Sequence, residues 1–277
     1  MKLGITMFAT DIAMDPVTLA RETEARGFHA LYLPEHTHIP TSRRTPPPTG
    51  ESVLAEEYKR TLDPFVSLAA AAAVTSRIRL GTAVCLVAQR DPIVLAKEIA
   101  TLDRLSGGRV ALGIGFGWNR EEMESHGVDF RRRRALVREK ILAMQALWAR
   151  DTARFEGELV RFEESWSWPK PLQQPRPPIL VGGAPGPKLF AHVAEYADGW
   201  MPIGGAGVRA ALPDLQRAVA RAGRDPARLE VVLIGSMPDP GRLAYYASHG
   251  VTEVALRLPS APRDTVLPIL DDYAKLL

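Results

Sequence analysis

Short apolar segments alternate with longer segments of mixed polarity along the whole chain, and this alternation predicts strands that are each followed by a helix. The predicted strands are residues 2–8, 30–33, 78–86, 110–114, 179–181, 200–203, 229–234 and 253–258. Asp-Pro pairs at 15–16, 63–64, 91–92 and 239–240 mark the starts of four helices, because aspartate accepts hydrogen bonds from free amides and proline suits the first turn. Eight strand–helix repeats in 277 residues predict an α/β fold, a (β/α)8 TIM barrel that forms one domain over residues 1–277.

A doubly wound open sheet is the structural alternative to the barrel. Such a sheet often carries a glycine-rich dinucleotide turn after its first strand, but residues 8–14 contain no glycine. The barrel is therefore favoured, and it places the loops that follow the strands at the face where TIM-barrel active sites lie.

Two loops that follow strands are long, and one connection that precedes a strand is also long. The loop after strand two covers residues 34–62, and we predict that residues 37–60 form a lid. The loop after strand four covers residues 115–130. Between helix four and strand five, residues 151–178 form an excursion with a hairpin-like turn at 155–158, which we expect to pack outside the barrel.

The charge balance limits the classes of partner. The formal net charge is +3, a small positive excess that suits an anionic ligand and does not indicate nucleic acid. The one basic run, residues 131–134, stands where a helix is predicted to begin. A solvated helix face is the favoured interpretation of this run, and contact with anionic groups is the alternative.

Cysteine use and hydropathy indicate the compartment. Cys85 is the single cysteine, so no internal disulfide can form, which is typical of a reducing, cytoplasmic setting. It lies in an apolar run, where burial as a small hydrophobic residue is favoured over a nucleophilic role. No apolar run approaches the roughly 18 residues of a membrane span, and the N-terminal segment lacks the features of a signal peptide.

The segment Glu35-His36-Thr37-His38 directly follows strand two and is therefore predicted at the barrel mouth. A histidine there can exchange protons near neutral pH. Two histidines two residues apart can also bind metal, but no third ligand or thiolate pair accompanies them, so no metal is predicted. The alternative is a histidine that only hydrogen-bonds the lid.

Two glycine-rich segments follow strands. Gly115, Gly117 and Trp118 end strand four, where glycine lets a flat ring approach the backbone; a tight strand exit is the plainer interpretation. Residues 181–187 link strand five to a helix, and their free amides with the helix start suit a phosphate group. Many ordinary loops share this composition.

Together these segments resemble the luciferase-like monooxygenase superfamily, and within it the coenzyme F420-dependent (deazaflavin) oxidoreductase branch. The resemblance covers residues 1 to about 203 and rests on motifs that occur in the same order with similar spacing. They are the segments 91–98, 102–109, 115–118, 169–171, 177–183 and 197–200.

The resemblance implies a ring of the isoalloxazine type in the barrel mouth, with a non-prolyl cis peptide or bulge behind it at the end of strand three. It implies His36 as an acid/base residue and Glu35 as the acidic residue before it. Trp118 stands where some relatives carry a catalytic glutamate after the strand-four glycines. The residues implied in cofactor binding are Phe8, Ala83, Val84, Cys85, Gly115, Gly117, Trp118, Gly182, Gly183 and Ala184.

Three functions follow from the resemblance. The first is hydride transfer between coenzyme F420 and an unidentified small organic substrate, with His36 moving the balancing proton. The second is an FMN-dependent monooxygenase that uses O2. The third is a non-catalytic flavin- or deazaflavin-binding protein, which the missing strand-four glutamate favours. Barrels of this kind often pair, which leaves a homodimer open.

Overall fold

Eight parallel strands close into a barrel in the computed structural model, which describes residues 1–47 and 53–277. Around the barrel the strands run β1-β2-β3-β4-β7-β8-β9-β10, and β10 pairs with β1. This arrangement confirms the predicted TIM barrel. Over the described residues the strands are β1 (Lys2–Thr6), β2 (Ala30–Leu33), β3 (Arg79–Thr82), β4 (Val110–Ile114), β5 (Thr152–Glu156), β6 (Arg161–Trp166), β7 (Ile179–Gly182), β8 (Gly199–Met201), β9 (Glu230–Ser236) and β10 (Glu253–Arg257).

Helices surround the barrel, and the four Asp-Pro pairs begin helices as predicted. In each of the four, the aspartate side chain accepts a hydrogen bond from an amide of the first turn. None of the described helices is long and apolar enough to cross a membrane. The helices are α1 (Pro16–Ala25), α2 (Glu56–Lys59), α3 (Pro64–Val74), α4 (Pro92–Leu105), α5 (Arg120–Ser125), α6 (Arg133–Ala149), α7 (Pro187–Tyr196), α8 (Val208–Arg221), α9 (Pro240–Ser248) and α10 (Arg263–Ala274).

The barrel interior is filled by a few large side chains set against glycine. The ring of Tyr32 is fully buried, and a Cβ at Gly81 would lie 2.6 Å from it. Likewise a Cβ at Gly113 would lie 2.7 Å from the sulfur of Met201. Because these glycines carry no side chain, Tyr32 and Met201 can occupy the axis of a narrow barrel. The larger apolar core lies between strands and helices.

Strand three is shorter than predicted, since β3 ends at Thr82 rather than at residue 86. A cis peptide bond joins Ala83 and Val84, and a 3-10 turn follows at Val87–Gln89. The amide of Leu86 donates to the carboxylate of Glu35. The chain has therefore left the sheet by Leu86, because the amide of this residue bonds the side chain of Glu35 rather than a neighbouring strand.

The long loop after strand four contains α5, which the sequence analysis did not predict. Asn119 caps this helix, because its side-chain oxygen accepts the amide hydrogen of Glu122 at 3.5 Å. The excursion before β7 forms an antiparallel pair, β5 with β6, separate from the barrel sheet. The carboxylate of Glu139 on α6 accepts the amide hydrogens of Leu159 at 2.7 Å and Val160 at 2.9 Å, which fixes the hairpin on that helix.

Candidate active site

A cavity of about 480 Å³ opens at the carboxyl ends of the barrel strands. We call it the mouth cavity. Most of its wall is apolar, and most of its residues follow a barrel strand directly. The wall includes Met7, Phe8, Pro34, Tyr58, Ala83, Gly183, Ala184, Trp200, Ile203, Ile234 and Arg257. A cavity of this size and position is typical of a ligand site in a TIM barrel.

Four of the residues predicted to bind a cofactor lie in this wall, namely Phe8, Ala83, Gly183 and Ala184. The cis peptide bond between Ala83 and Val84 stands where the resemblance implied one. Gly183 has φ +140°, a conformation that other residues rarely adopt, and its carbonyl accepts a hydrogen bond of 2.9 Å from Trp200 Nε1. This bond holds the loop after β7 against the cavity.

The other predicted cofactor residues do not line the mouth cavity; they are Val84, Cys85, Gly115, Gly117, Trp118 and Gly182. A Cβ at Gly182 would come within 2.9 Å of Val84 Cγ1, and Gly115 also packs against Val84. Gly117, at φ +72°, packs against Met123. Close packing requires glycine at these three positions. A side chain there would displace Val84 or Met123.

Cys85 is fully buried, and burial raises the pKa of its thiol well above the ordinary value. A buried thiol that stays protonated is a poor nucleophile. The prediction that Cys85 is buried as a small hydrophobic residue is therefore confirmed. Its side chain packs beneath the turn that carries Ala83.

Glu35 is buried within an ion pair. Its carboxylate accepts hydrogen bonds of 2.6 Å from the Leu86 amide and 2.6 Å from Arg90 Nε, and Arg90 also contacts Asp63 at 2.6 Å. These bonds tie the end of β2 to the turn after β3. Glu35 can therefore position the cavity wall. Both oxygens of its carboxylate are bonded to the Leu86 amide and Arg90.

His36 forms a buried pair with a carboxylate that the sequence analysis missed. Its Nδ1 lies 2.9 Å from Glu122 Oε2, and the two side chains are only 7% and 1% exposed. A carboxylate that accepts Nδ1–H fixes the ring and leaves Nε2 to exchange a proton. One signal could have found Glu122: it stands three residues after Asn119, the spacing of a capping box, in which a glutamate points back toward the helix start.

Aromatic rings surround this pair. The ring centroid of His36 lies 5.3 Å from that of Tyr58 and 5.8 Å from that of Trp118. Tyr58 also packs on Phe8 at 4.9 Å, so its ring is shared between His36 and the mouth cavity. His36 does not line the cavity itself. Its sequence neighbour His38 lies elsewhere, 5.2 Å from the ring of His126.

The predicted lid, residues 37–60, is docked on α5 over part of its length. Glu121 accepts hydrogen bonds of 3.0 Å from the Arg44 amide and 2.7 Å from the Thr45 hydroxyl. The Thr45 hydroxyl is the main cause that lowers the pKa of Glu121 to about 2. Arg43 lies over the ring of Trp118, 5.8 Å from its centroid. Residues 48–52 of the predicted lid lie outside the described residues.

A second cavity, of about 430 Å³, lies at the opposite end of the barrel. Charged residues that begin strands line it, including Arg79, Glu230 and Glu253. This end of a TIM barrel contributes stability rather than chemistry. Over residues 1–47 and 53–277 no group of three or more His, Cys, Asp or Glu is arranged to hold a metal ion.

The closed parallel barrel, the mouth cavity and the buried His36–Glu122 pair beside it define the class: a TIM-barrel protein with a candidate active site at the carboxyl ends of its strands. The luciferase-like monooxygenase family model matches residues 12–237. The chain therefore belongs to the luciferase-like monooxygenase family, whose members are oxidoreductases and monooxygenases.

Proteins similar to this chain in sequence or in fold include enzymes named for FMNH(2) and for F420. An uncharacterized protein of Mycobacterium tuberculosis is 46% identical over 280 residues, which cover 100% of this chain and 99% of that protein. An FMNH(2)-dependent dimethylsulfone monooxygenase of Pseudomonas putida is 32% identical over 141 residues, which cover 48% of this chain and 38% of that enzyme. The solved structure of an F420-dependent secondary alcohol dehydrogenase with an F420-acetone adduct superposes with a TM-score of 0.80 at 17% identity, covering 100% and 98% of the two chains, a likeness of fold.

Proposed function

We propose that this protein transfers a hydride between coenzyme F420 and a small organic substrate, with the cofactor ring in the mouth cavity. The observation that carries the proposal is the buried His36–Glu122 pair, 2.9 Å between Nδ1 and Oε2, beside that cavity. A pair of this kind supplies the proton that must accompany hydride transfer to or from a carbonyl-type carbon.

The residues of the mouth cavity fit such a cofactor. A volume of about 480 Å³ with an apolar wall suits a flat tricyclic ring. Phe8 and Ala83 are in position to contact the ring. Gly183 and Ala184 offer backbone to the cofactor phosphate, and Arg257, which is paired with Glu57 at 2.5 Å, also lies in the wall. Gly182, the third predicted phosphate residue, supports them from within β7.

When bound, coenzyme F420 supplies a carbon that accepts or donates a hydride. His36 donates or accepts the balancing proton at Nε2, and Glu122 holds the imidazole through Nδ1. Trp118 and Tyr58 pack around the imidazole and exclude water from it. Glu35 positions the turn after β3 through the Leu86 amide and Arg90.

An FMN-dependent monooxygenase that uses O2 is the second candidate. The observation in its favour is the similarity of part of the chain to the FMNH(2)-dependent enzyme of Pseudomonas putida. The mouth cavity and the loop at Gly183 suit the ring and phosphate of FMN as well. The two candidates therefore differ in cofactor affinity rather than in fold.

Cofactor titration separates the candidates. Purified, cofactor-free protein is titrated with coenzyme F420 and, separately, with FMN, and binding is followed by absorbance and equilibrium dialysis. We expect tight binding of F420 and weak binding of FMN. The reverse order would favour the monooxygenase, and binding of neither would refute the assignment of a flavin-type cofactor.

Replacement of His36 tests the acid–base role. In His36→Ala we expect turnover of a substrate found by screening with reduced F420 to fall about 100-fold or more, with little change in cofactor affinity. His38→Ala is the matched control, because His38 is exposed and lies outside the pair. Equal loss in both variants, or unchanged turnover in His36→Ala, would contradict the proposed role.

A further inference from the structure

Three guanidinium groups crowd onto two aromatic rings at the rim of the barrel. The guanidinium carbons of Arg120 and Arg133 lie 5.0 Å and 3.7 Å from the centroid of the same ring, Phe130. The guanidinium carbon of Arg134 lies 4.2 Å from the ring of Phe116. We call Arg120, Arg133 and Arg134 the arginine cluster. Two of its members belong to the basic run at 131–134.

Over residues 1–47 and 53–277 no carboxylate pairs with any member of the arginine cluster. Neighbouring arginines of α6 and its start do find acids, Arg132 with Glu158 and Arg138 with Glu195. Glu121, next to Arg120 in sequence, accepts hydrogen bonds from Arg44 and Thr45 instead. Asp129, which precedes Arg133 and Arg134, caps the amide of Arg131 at 2.8 Å. The cluster is therefore a concentration of positive charge that the fold leaves uncompensated.

Its members are held in place by packing. Arg133 and Arg134 are half-buried, and Arg133 Nη1 donates to the carbonyl of Phe130 at 2.7 Å. Arg133 Nε and Arg134 Nη1 are buried without a hydrogen-bond partner among the described residues. Burial, followed by the charges of Arg134 and Arg120, lowers the pKa of Arg133. Like charges fixed this close repel one another, and a bound anion relieves that repulsion.

The arginine cluster lies at the same end of the barrel as the mouth cavity. Phe116 follows β4, and its ring lies 4.9 Å from the ring of His192 on α7. Burial and the charge of Arg134 lower the pKa of His192. Helix α7 begins at Pro187, directly after the loop of Gly183 and Ala184 in the cavity wall. Helix α7 is thus next to both the ring of Phe116 and the loop of the cavity wall.

We infer that the arginine cluster binds a multivalent anion, a molecule with two or more carboxylate or phosphate groups, outside the mouth cavity. Guanidinium groups are suited to both groups, because their planar donors form paired hydrogen bonds with the oxygens. The anion is either the acidic tail of the proposed cofactor or a separate molecule. The inference itself does not depend on the proposed function; only the choice between these two sources does.

Calorimetric titration of the purified full chain tests the site. The probes are inorganic pyrophosphate and a tetraglutamate peptide, each at low and at high ionic strength. We expect binding that weakens with salt, and a loss of affinity of about 10-fold or more in Arg134→Gln and in Arg120→Gln. Arg120 is exposed, so its replacement leaves the core intact. Arg134→Lys keeps the charge but loses the planar donors, so its affinity should lie between those of the unmodified protein and Arg134→Gln.

Arg131→Gln is the matched control, because it removes one positive charge from the same run at an exposed position outside the cluster. Its affinity should stay within about twofold of the unmodified protein. Absence of binding by the unmodified protein, or an equal loss in Arg131→Gln and Arg134→Gln, would overturn the inference.

A second titration identifies the source of the anion. Forms of coenzyme F420 with and without the glutamate tail are compared in the unmodified protein and in Arg134→Gln. A loss confined to the tail-bearing form assigns the cluster to the cofactor tail. Unchanged affinity for both forms, with pyrophosphate binding lost, assigns it to a separate anion. If neither form binds the unmodified protein, the proposed function fails, while the pyrophosphate titration still decides the inference.

Discussion

Glu122 is the residue that holds the imidazole of His36 in one orientation and tautomer. The two side chains lie 2.9 Å apart between Nδ1 and Oε2 and are almost completely buried. In a site closed to water, a carboxylate fixes both the tautomer and the orientation of an imidazole. Glu122 reaches His36 from the first turn of α5.

Glu122→Gln keeps the shape of the side chain and removes its charge. We expect turnover to fall about 10- to 100-fold and its pH profile to shift, because the imidazolium form of His36 loses its partner, while cofactor affinity stays unchanged. The measurement is kcat against pH together with the cofactor Kd. Glu124→Gln, exposed on the same helix, serves as the control. A variant with altered cofactor Kd and an unshifted pH profile would indicate a merely structural role.

At the scale of elements, α5 joins the acid–base pair to the lid. Glu122 on this helix contacts His36, and its neighbour Glu121 holds the backbone of Arg44 and the hydroxyl of Thr45. Because the pKa of Glu121 is lowered to about 2, its carboxylate stays ionised far below neutral pH, and the docking persists there. Adjacent residues of one short helix therefore contact His36 and the lid separately.

Glu121→Gln should loosen the docked part of the lid. The amide replaces a charged acceptor with a neutral one, so we expect hydrogen exchange at Arg44 and Thr45 to become about 10-fold faster. Exchange measured by mass spectrometry on the peptide around these residues checks this. Barrel strands should exchange at the rate of the unmodified protein. Equal acceleration in the lid and in the strands would mean that the substitution unfolds the molecule instead.

The sequence predicts the elements of this protein well where the signal is local. Asp-Pro pairs define helix starts through bonds within one turn, and Cys85 is correctly predicted as buried from the apolar residues beside it. The end of strand three is predicted too late, because Leu86 bonds to Glu35 in another loop. Helix α5 is missed since it has only six residues, too few for a periodic pattern.

At the scale of the whole molecule, a charged cavity closes the end of the barrel opposite the site. Arg79 Nη1 lies 3.5 Å from Glu253 and 2.5 Å from Glu230. Burial raises the pKa of Glu253 to about 7 and lowers the pKa of His29 to about 4. Each of these groups favours its neutral form in the folded protein, so both make stability depend on pH.

Glu253 and His29 change the stability of the fold in opposite directions as the pH rises. Since the folded-state pKa of Glu253 lies above its ordinary value of 4.5, its stabilising contribution is complete below pH 4.5 and is lost as the pH rises through about 7. The folded-state pKa of His29 lies below 6.5, so its contribution is present above pH 6.5 and is lost as the pH falls through about 4.

Glu253→Gln isolates the first contribution. Between pH 5 and pH 8 we expect the unmodified protein to lose roughly 2–3 kcal/mol more unfolding free energy than the variant, because glutamine has no proton to release. Urea unfolding at both pH values measures this difference. Glu163→Gln, exposed on the outer hairpin, is the control. Parallel stability curves for Glu253→Gln and the unmodified protein would rule out titration of Glu253 in this range.

The barrel and its active face are encoded locally, because strand periodicity and helix caps act over a few neighbouring residues. The glycine-rich segment after β7 points to Gly183 and Ala184, whereas Phe8 and Ala83 are implied by the family resemblance, and all four lie in the cavity wall.

Which distant side chains come into contact depends on the tertiary structure. Glu122 reaches His36 across 86 positions, and Arg257 enters the mouth cavity because β10 closes the barrel beside β1. The arginine cluster likewise forms where the start of α6 passes the loop after β4. Such contacts depend on how strands and helices are arranged around the barrel axis. A local sequence pattern does not specify which distant residues this arrangement brings together.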